Sequence, residues 1–384
     1  MASQEQLRLR ERMMRHARMK KAEAREAQEE HMRMMAPSQQ DSAMVMTPRN
    51  NQLQQQMQPQ ARTMGTAYDD VPITQPSDER FFAKNPLQSV TAPSSSLTPY
   101  EFACRHGPLS DIESIMASEA PPTPAFLNHG LNFAIAAGNV DAARHLLGSG
   151  APVLRLTPEL IFRAPPDQQI ALFELILGHG WMPTKLSPDR AGLLAKVVTN
   201  IPLLSWFLAH GANPNLGVNR QNEPDSASCA ALEAAANHGS LEAVKMLLEA
   251  GAHIGNGTPL HSAAGVYPAG TNPRSGRVAP SQEFDAGRIP IMELLVEAGA
   301  DVNQRDESRH ATARYPLVYA VMAEAVERTK WLLSRGADPL LKGAFGSAAE
   351  YARRMRNDEM KTVIEEGIAA EKWMKADDRN QQKD

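Results

Sequence analysis

Residues 237–264 read NHGSLEAVKMLLEAGAHIGNGTPLHSAA: a turn, a helical run, a loop and the opening of the next helix. Gly251 follows the run, where a left-handed residue closes a last helical turn. Thr258 stands where a helix cap belongs, and Pro259 takes a first helical position whose missing N–H costs nothing. Ala263 and Ala264 are small enough for two helices to approach closely. LLEAG at 247–251 is one case of a pattern written six times: two apolar residues, two spacers, a glycine. The glycines are Gly150, Gly180, Gly211, Gly251, Gly299 and Gly336, in steps of 30, 31, 40, 48 and 37 residues. A period of roughly 30 to 40 residues marks stacked supersecondary units, because one such unit cannot bury its apolar face alone.

On these residues the chain resembles ankyrin-repeat proteins. GTPLHSAA at 257–264 is a nearly unmodified copy of that family's helix-opening motif. AGNVDAARHLL at 137–147 and NHGSLEAVKMLL at 237–248 supply the turn and second helix twice more, and in both the turn glycine precedes the loop glycine by 12 residues. The resemblance implies an all-α ankyrin-repeat solenoid, built of helix-turn-helix repeats with loops or short hairpin fingers. It also implies a chain that binds other proteins and catalyses nothing, and a His261 that ties neighbouring loops together by hydrogen bonds. Eight units begin near Leu97, Phe126, Thr157, Leu186, Ser228, Gly257, Tyr315 and Gly346. Those near 157 and 186 offer TPEL and LSPD in place of TPLH, and the first and last are degenerate, as capping units are. The expected organisation is a basic helix over 1–35, a disordered linker over 36–96, the repeats over 97–370 and a charged tail over 371–384.

Composition fits a globular chain: 42% hydrophobic and 22% charged residues, with a formal net charge of −4 that gives no global attraction to nucleic acid or membrane. No apolar run reaches the roughly 18 residues of a membrane span, and no secretory signal follows the basic N-terminus. The expectation is a chain that is not secreted, without a membrane partner, resident in nucleus or cytoplasm. Two cysteines, Cys104 and Cys229, provide no disulfide framework and read as structural thiols. Repeat phase accounts for His106 and His238 before turn glycines, for His179 and His210 before loop glycines, and for His261. The other histidines form no pair of metal-ligand spacing, so no metal is expected. Phosphate loops and nucleophile elbows are absent, so neither a cofactor nor a small-molecule substrate is expected.

Residues 36–96 are rich in Gln, Pro, Met and Ser and bury too little to offset ordering. Phe81-Phe82, flanked by charges, is the place where this tail would dock a partner. RLRERMMRHARMKK at 8–21 sets seven basic side chains against Glu11, with no proline before Pro37. One helix with a basic first half resembles the basic region of bZIP factors. In that alignment Arg10 stands where the base-reading asparagine belongs, and no leucine heptad follows. Certain fungal regulators of secondary-metabolite gene clusters join such a region to ankyrin repeats, and this chain has that order of parts. The resemblance implies a transcription coregulator whose Arg8, Arg12, Arg15, Arg18, Lys20 and Lys21 touch DNA backbone weakly and without sequence preference. The competing expectation is a cytoplasmic adaptor or structural scaffold with a solubilising basic tail.

Finger lengths place the partner surface. From loop glycine to the next helix leucine the spacing is 21 residues (Gly211 to Leu232), 9 (Gly251 to Leu260) and 18 (Gly299 to Leu317). Two long fingers flanking a short one should leave a cleft, and loops on a rigid scaffold are where binding residues concentrate. The candidates are Arg220, Asn222, Glu223 and Asp225 on one finger, and Arg305, Asp306, Glu307 and Arg309 on the other. The insertion from Gly265 to Gly287, with three prolines and several glycines, reads as a flexible excursion that folding tolerates.

Overall fold

A computed structural model describes residues 81 and 86–381, apart from 119–121, 184–192, 219–223, 269–279, 308–312 and 345, with side chains to position 370 except at 224. The basic helix, most of the linker, the LSPD opening and the C-terminal tail's side chains therefore lie outside the described residues. All described residues belong to one compact unit within Gly65–Asp384.

The fold is all-α. After a short helix α1 (Pro86–Ser89) come eight helix pairs among the described residues. The first helix of each pair is α2 (Pro99–His106), α4 (Pro124–Ala137), α6 (Thr157–Ile161), α8 (Leu193–Lys196), α10 (Ala230–His238), α12 (Pro259–Ala264), α15 (Pro316–Met322) or α17 (Ala348–Arg354). Their partners are α3 (Leu109–Ser118), α5 (Val140–Gly148), α7 (Pro166–Leu177), α9 (Ile201–Ala209), α11 (Leu241–Glu249), α14 (Ile289–Glu297), α16 (Val326–Ser334) and α18 (Asp358–Gln381). One more helix, α13 (Gln282–Gly287), is inserted within the sixth pair. First helices pack on one another in chain order from α2 to α6 and from α8 to α17. Second helices do the same from α3 through α14, and α16 packs on α18. Between the last two runs the inserted α13 packs on α16.

Local chemistry explains the punctuation. All six loop glycines have positive φ, from 80° at Gly211 to 104° at Gly299, a region that L side chains rarely adopt. Each closes a Schellman motif. The residue after the glycine donates five positions back, as in Ala252 N to Leu247 O (2.9 Å), while the glycine donates three back, as in Gly251 N to Leu248 O (3.0 Å). In the turns inside a pair, Asn139, Asn200 and Ser240 cap α5, α9 and α11 through their side-chain oxygens. Reciprocal capping boxes start the first and last units, Thr98 with Glu101 and Ser347 with Glu350. Thr258 departs from the expected cap. It occupies the N-cap position of α12, but its hydroxyl donates to Glu233 Oε1 of the preceding pair at 3.3 Å and caps nothing.

The TPEL opening coincides with a short first helix, α6, and four aromatic residues pack around the units of α6 and α8. There the core is made good by Phe173, Trp181, Trp206 and Phe207, whose rings meet at centroid distances of 4.9–6.2 Å. Large aromatic side chains supply the burial that short helices lack.

Three boundaries differ from the expectation. The folded region begins before position 97: Val90 is buried, and Arg105 Nη1 donates to Ala92 O at 2.8 Å. The C-terminal helix runs on to Gln381, across the expected boundary between repeats and charged tail at 370/371. The insertion is anchored: its last stretch forms α13, started by Ser281, which accepts from Phe284 N at 3.2 Å. Among the described residues no helix is long and apolar enough to cross a membrane.

Candidate functional site

The fingers rise from the loop glycines, and their roots are fixed by a repeated bond pattern. Asn215 stands four residues after Gly211, and Asn303 four after Gly299. Asn215 Nδ2 donates to Gly251 O (2.8 Å) and its Oδ1 accepts from His253 N (2.7 Å). Asn303 repeats this two loops on: Nδ2 to Gly336 O (2.9 Å), with Asp338 N donating to Oδ1 (2.9 Å). Each asparagine thus satisfies a carbonyl and an N–H of a later loop, which ties one finger root to the next. Gln304 Nε2 adds a bond to Gly257 O at 2.9 Å, and His261 Nε2 donates to Arg314 O at 3.1 Å. His261 is buried, and that burial pulls its pKa below the ordinary histidine range. Sequence reasoning missed Asn215 and Asn303. The signal was there, since Gly-Ala-x-x-Asn is written at both 211–215 and 299–303.

Above the roots the two long fingers differ. The first carries a two-stranded antiparallel ribbon, β1 (Gly217–Val218) with β2 (Pro224–Asp225), which pairs Gly217 with Asp225. The second is closed by Arg314, whose carbonyl accepts from Asp306 N (2.8 Å) and whose Nη1 donates to Asp306 O (3.0 Å).

The proposed contact residues separate accordingly. Arg220, Asn222, Glu223 and Arg309 lie outside the described residues. Asp225 is half-buried, and its Oδ1 accepts from Ala227 N at 2.9 Å, so it holds a turn. Asp306 is half-buried, with its backbone committed to Arg314. Arg305 and Glu307 are exposed, and Arg305 Nε lies 3.6 Å from Glu307 Oε1. The expected cleft would open between tips 219–223 and 308–312, outside the described residues. At its base the short middle finger is bonded to both neighbours through Asn215 and Gln304.

At the opposite ends of the first helices, arginines finish orphan carbonyls. Arg288 donates to Ala236 O, Asn237 O and Gly239 O at the end of α10. Arg328, fully buried, donates to Ala263 O (3.1 Å), Ala264 O (2.7 Å) and Val266 O (3.0 Å) at the end of α12. Its Nε meets Asp285 Oδ1 of the inserted helix at 2.6 Å. Burial lowers the Arg328 pKa, and Asp285 raises it back in part. Asp285 also accepts from Glu327 N at 2.6 Å, at the start of α16. The end of the insertion is thus bonded into the stack, against the reading of it as a flexible excursion that folding tolerates. Its helical end neutralises a buried cation.

Cys104 and Cys229 are buried free thiols whose pKa burial pushes up to about 12, which holds them protonated and unreactive. His179 and His210, each one residue before a loop glycine, each bond the carbonyl four residues back, Leu175 O at 2.9 Å and Trp206 O at 2.7 Å. Among the described residues no cluster of three His, Cys, Asp or Glu side chains is arranged to hold a metal ion. Phe81, read as a docking point for a partner, packs on its own chain instead. Its ring centroid lies 5.9 Å from Phe126 and 4.9 Å from His129, while Phe82 lies outside the described residues. Compared with protein-family models the chain matches none, and a search of curated proteins gives no match either.

Proposed function

We propose that this chain is an ankyrin-type, non-catalytic scaffold that binds other proteins through its fingers, and that it acts as a nuclear transcription coregulator. The ankyrin reading draws its support from eight helix pairs in sequential contact, six Schellman glycines and the His261 bond to the next loop. The observation that carries the binding reading is the asparagine ladder. Asn215 and Asn303 fix the finger roots to neighbouring loops, so the exposed charges beyond them stand on a rigid base. Roots already held by hydrogen bonds have little conformational freedom left to lose on association. Arginine at such tips offers a planar fork with weak hydration, which is favoured at interfaces.

The coregulator half rests on the sequence: a basic helix without its base-reading asparagine, joined to a binding stack. It predicts DNA contact through phosphates only, declining steeply with salt and indifferent to base order.

Replacing Arg220 and Arg305 together by alanine tests the binding half. The double variant should retain its melting temperature and lose most partner capture. Unaltered capture by a well-folded double variant would move the interface off the fingers. A fluorescent fusion tests the other half: nuclear accumulation is expected, and exclusion from nuclei would leave a cytoplasmic adaptor or structural scaffold.

A further inference from the structure

Beside α2, at the first two helix pairs, lies an open-sided pocket of about 480 Å3. The wall carries the apolar side chains of Phe81, Leu97, Tyr100 and Phe126, and the polar ones of Glu101 and His129. Tyr100 stacks on Phe126 at 4.0 Å between centroids, and Phe81 stands edge-on to Phe126 at an interplanar angle of 70°. Among the lining residues Glu101 is the one carboxylate, and there is neither lysine nor arginine.

Glu101 is fixed where it stands. His129 Nε2 donates to its Oε1 at 2.8 Å and Thr98 N to its Oε2 at 2.7 Å, with 17% of the side chain exposed. The His129 bond above all, with Thr98 behind it, holds the carboxyl pKa down at about 2 against the opposing effect of burial. The wall therefore carries a carboxylate, paired with His129, beside the rings of Phe81, Tyr100 and Phe126.

The volume falls within the roughly 300–1,000 Å3 of small-molecule sites, which are mostly apolar with a few placed polar groups. The sign of the wall selects the ligand. An anion would meet Glu101, and a neutral apolar molecule would take the remaining solvent from a carboxylate that His129 and Thr98 hold in place, with no charge to offset the loss. A cation is drawn both by the carboxylate and by the negative faces of the rings. We propose that this cavity binds a small organic cation, an ammonium group on a short apolar stem. The site shares no residue with the fingers and does not depend on their role.

The test uses the full chain and choline as the probe, with its uncharged carbon isostere as control. Binding is followed by calorimetry and by the ring resonances of Tyr100 and His129. Saturable one-to-one binding of choline is expected, with the isostere weaker by about tenfold or more. Glu101→Gln, which keeps the shape and removes the charge, should weaken choline by a similar factor. Because Glu101 also caps α2, Phe81→Leu serves as the second variant: it keeps apolar bulk, removes a ring face and should weaken choline several-fold. Equal binding of the isostere would overturn the proposal, as would undiminished binding in a folded variant or the absence of saturable binding. Capture of a lysine-bearing peptide without binding of free choline would overturn it in favour of a protein ligand.

Discussion

Leu247 and Leu295 close the second helices of the fifth and sixth pairs, and both are fully buried. Each also lends its carbonyl to the Schellman bond that ends its helix, from Ala252 N and Ala300 N. Truncating either to alanine removes burial and leaves a cavity, which should cost about 2–5 kcal/mol in chemical denaturation. A variant that unfolds at the wild-type denaturant concentration would show that the site is not core. Glu101 gives a pH signature. Its pKa is lowered from 4.5 to about 2 in the folded state, so the unfolded chain takes up that proton first as pH falls. Its contribution is fully present above pH 4.5 and is lost as pH drops toward 2. In Glu101→Gln this part of the acid sensitivity should vanish, so the stability gap from wild type narrows between those limits. A gap that is constant with pH would contradict the assignment.

Among elements, the inserted helix α13 is the clearest case for a test. Asp285→Ala strips a fully buried arginine of its counter-ion and removes an acceptor at the start of α16. Breaking a buried pair from one side costs about 3–5 kcal/mol, because the orphaned charge stays inside. Asp285→Asn keeps an acceptor for Arg328 Nε and Glu327 N and removes only the charge, so it should lose less, and denaturation curves of the two variants provide the check. If Asp285→Ala alone is neutral, α13 is the dispensable excursion that its neighbours suggested. The contrast shows where sequence is legible. Helix pairs, loop glycines and buried leucines could be read because each follows a period of backbone geometry. The anchoring of α13 could not, because Asp285 and Arg328 lie 43 positions apart and their pairing depends on how two elements meet. Likewise Phe81 reads as a free aromatic until the packing of Tyr100, Phe126 and His129 gives it a wall. The asparagine ladder was half-legible: Gly-Ala-x-x-Asn is visible twice, but its partners are carbonyls, which sequence does not distinguish.

For the whole molecule, the proposed function has the stack present its fingers to a protein partner while the opposite edge is spent on internal bonds. On that edge Arg288 and Arg328 already finish the carbonyls of α10 and α12. The finger side keeps Arg305 and Glu307 exposed above roots that Asn215 and Asn303 hold. The most direct measurement is amide hydrogen exchange on the full chain with and without a partner purified by affinity capture and rebound in stoichiometric amount. The account predicts added protection over the two long fingers, residues 213–229 and 301–315, with the turns at 138–139 and 239–240 unchanged. Protection confined to those turns, or to the segment before Phe81, would contradict it.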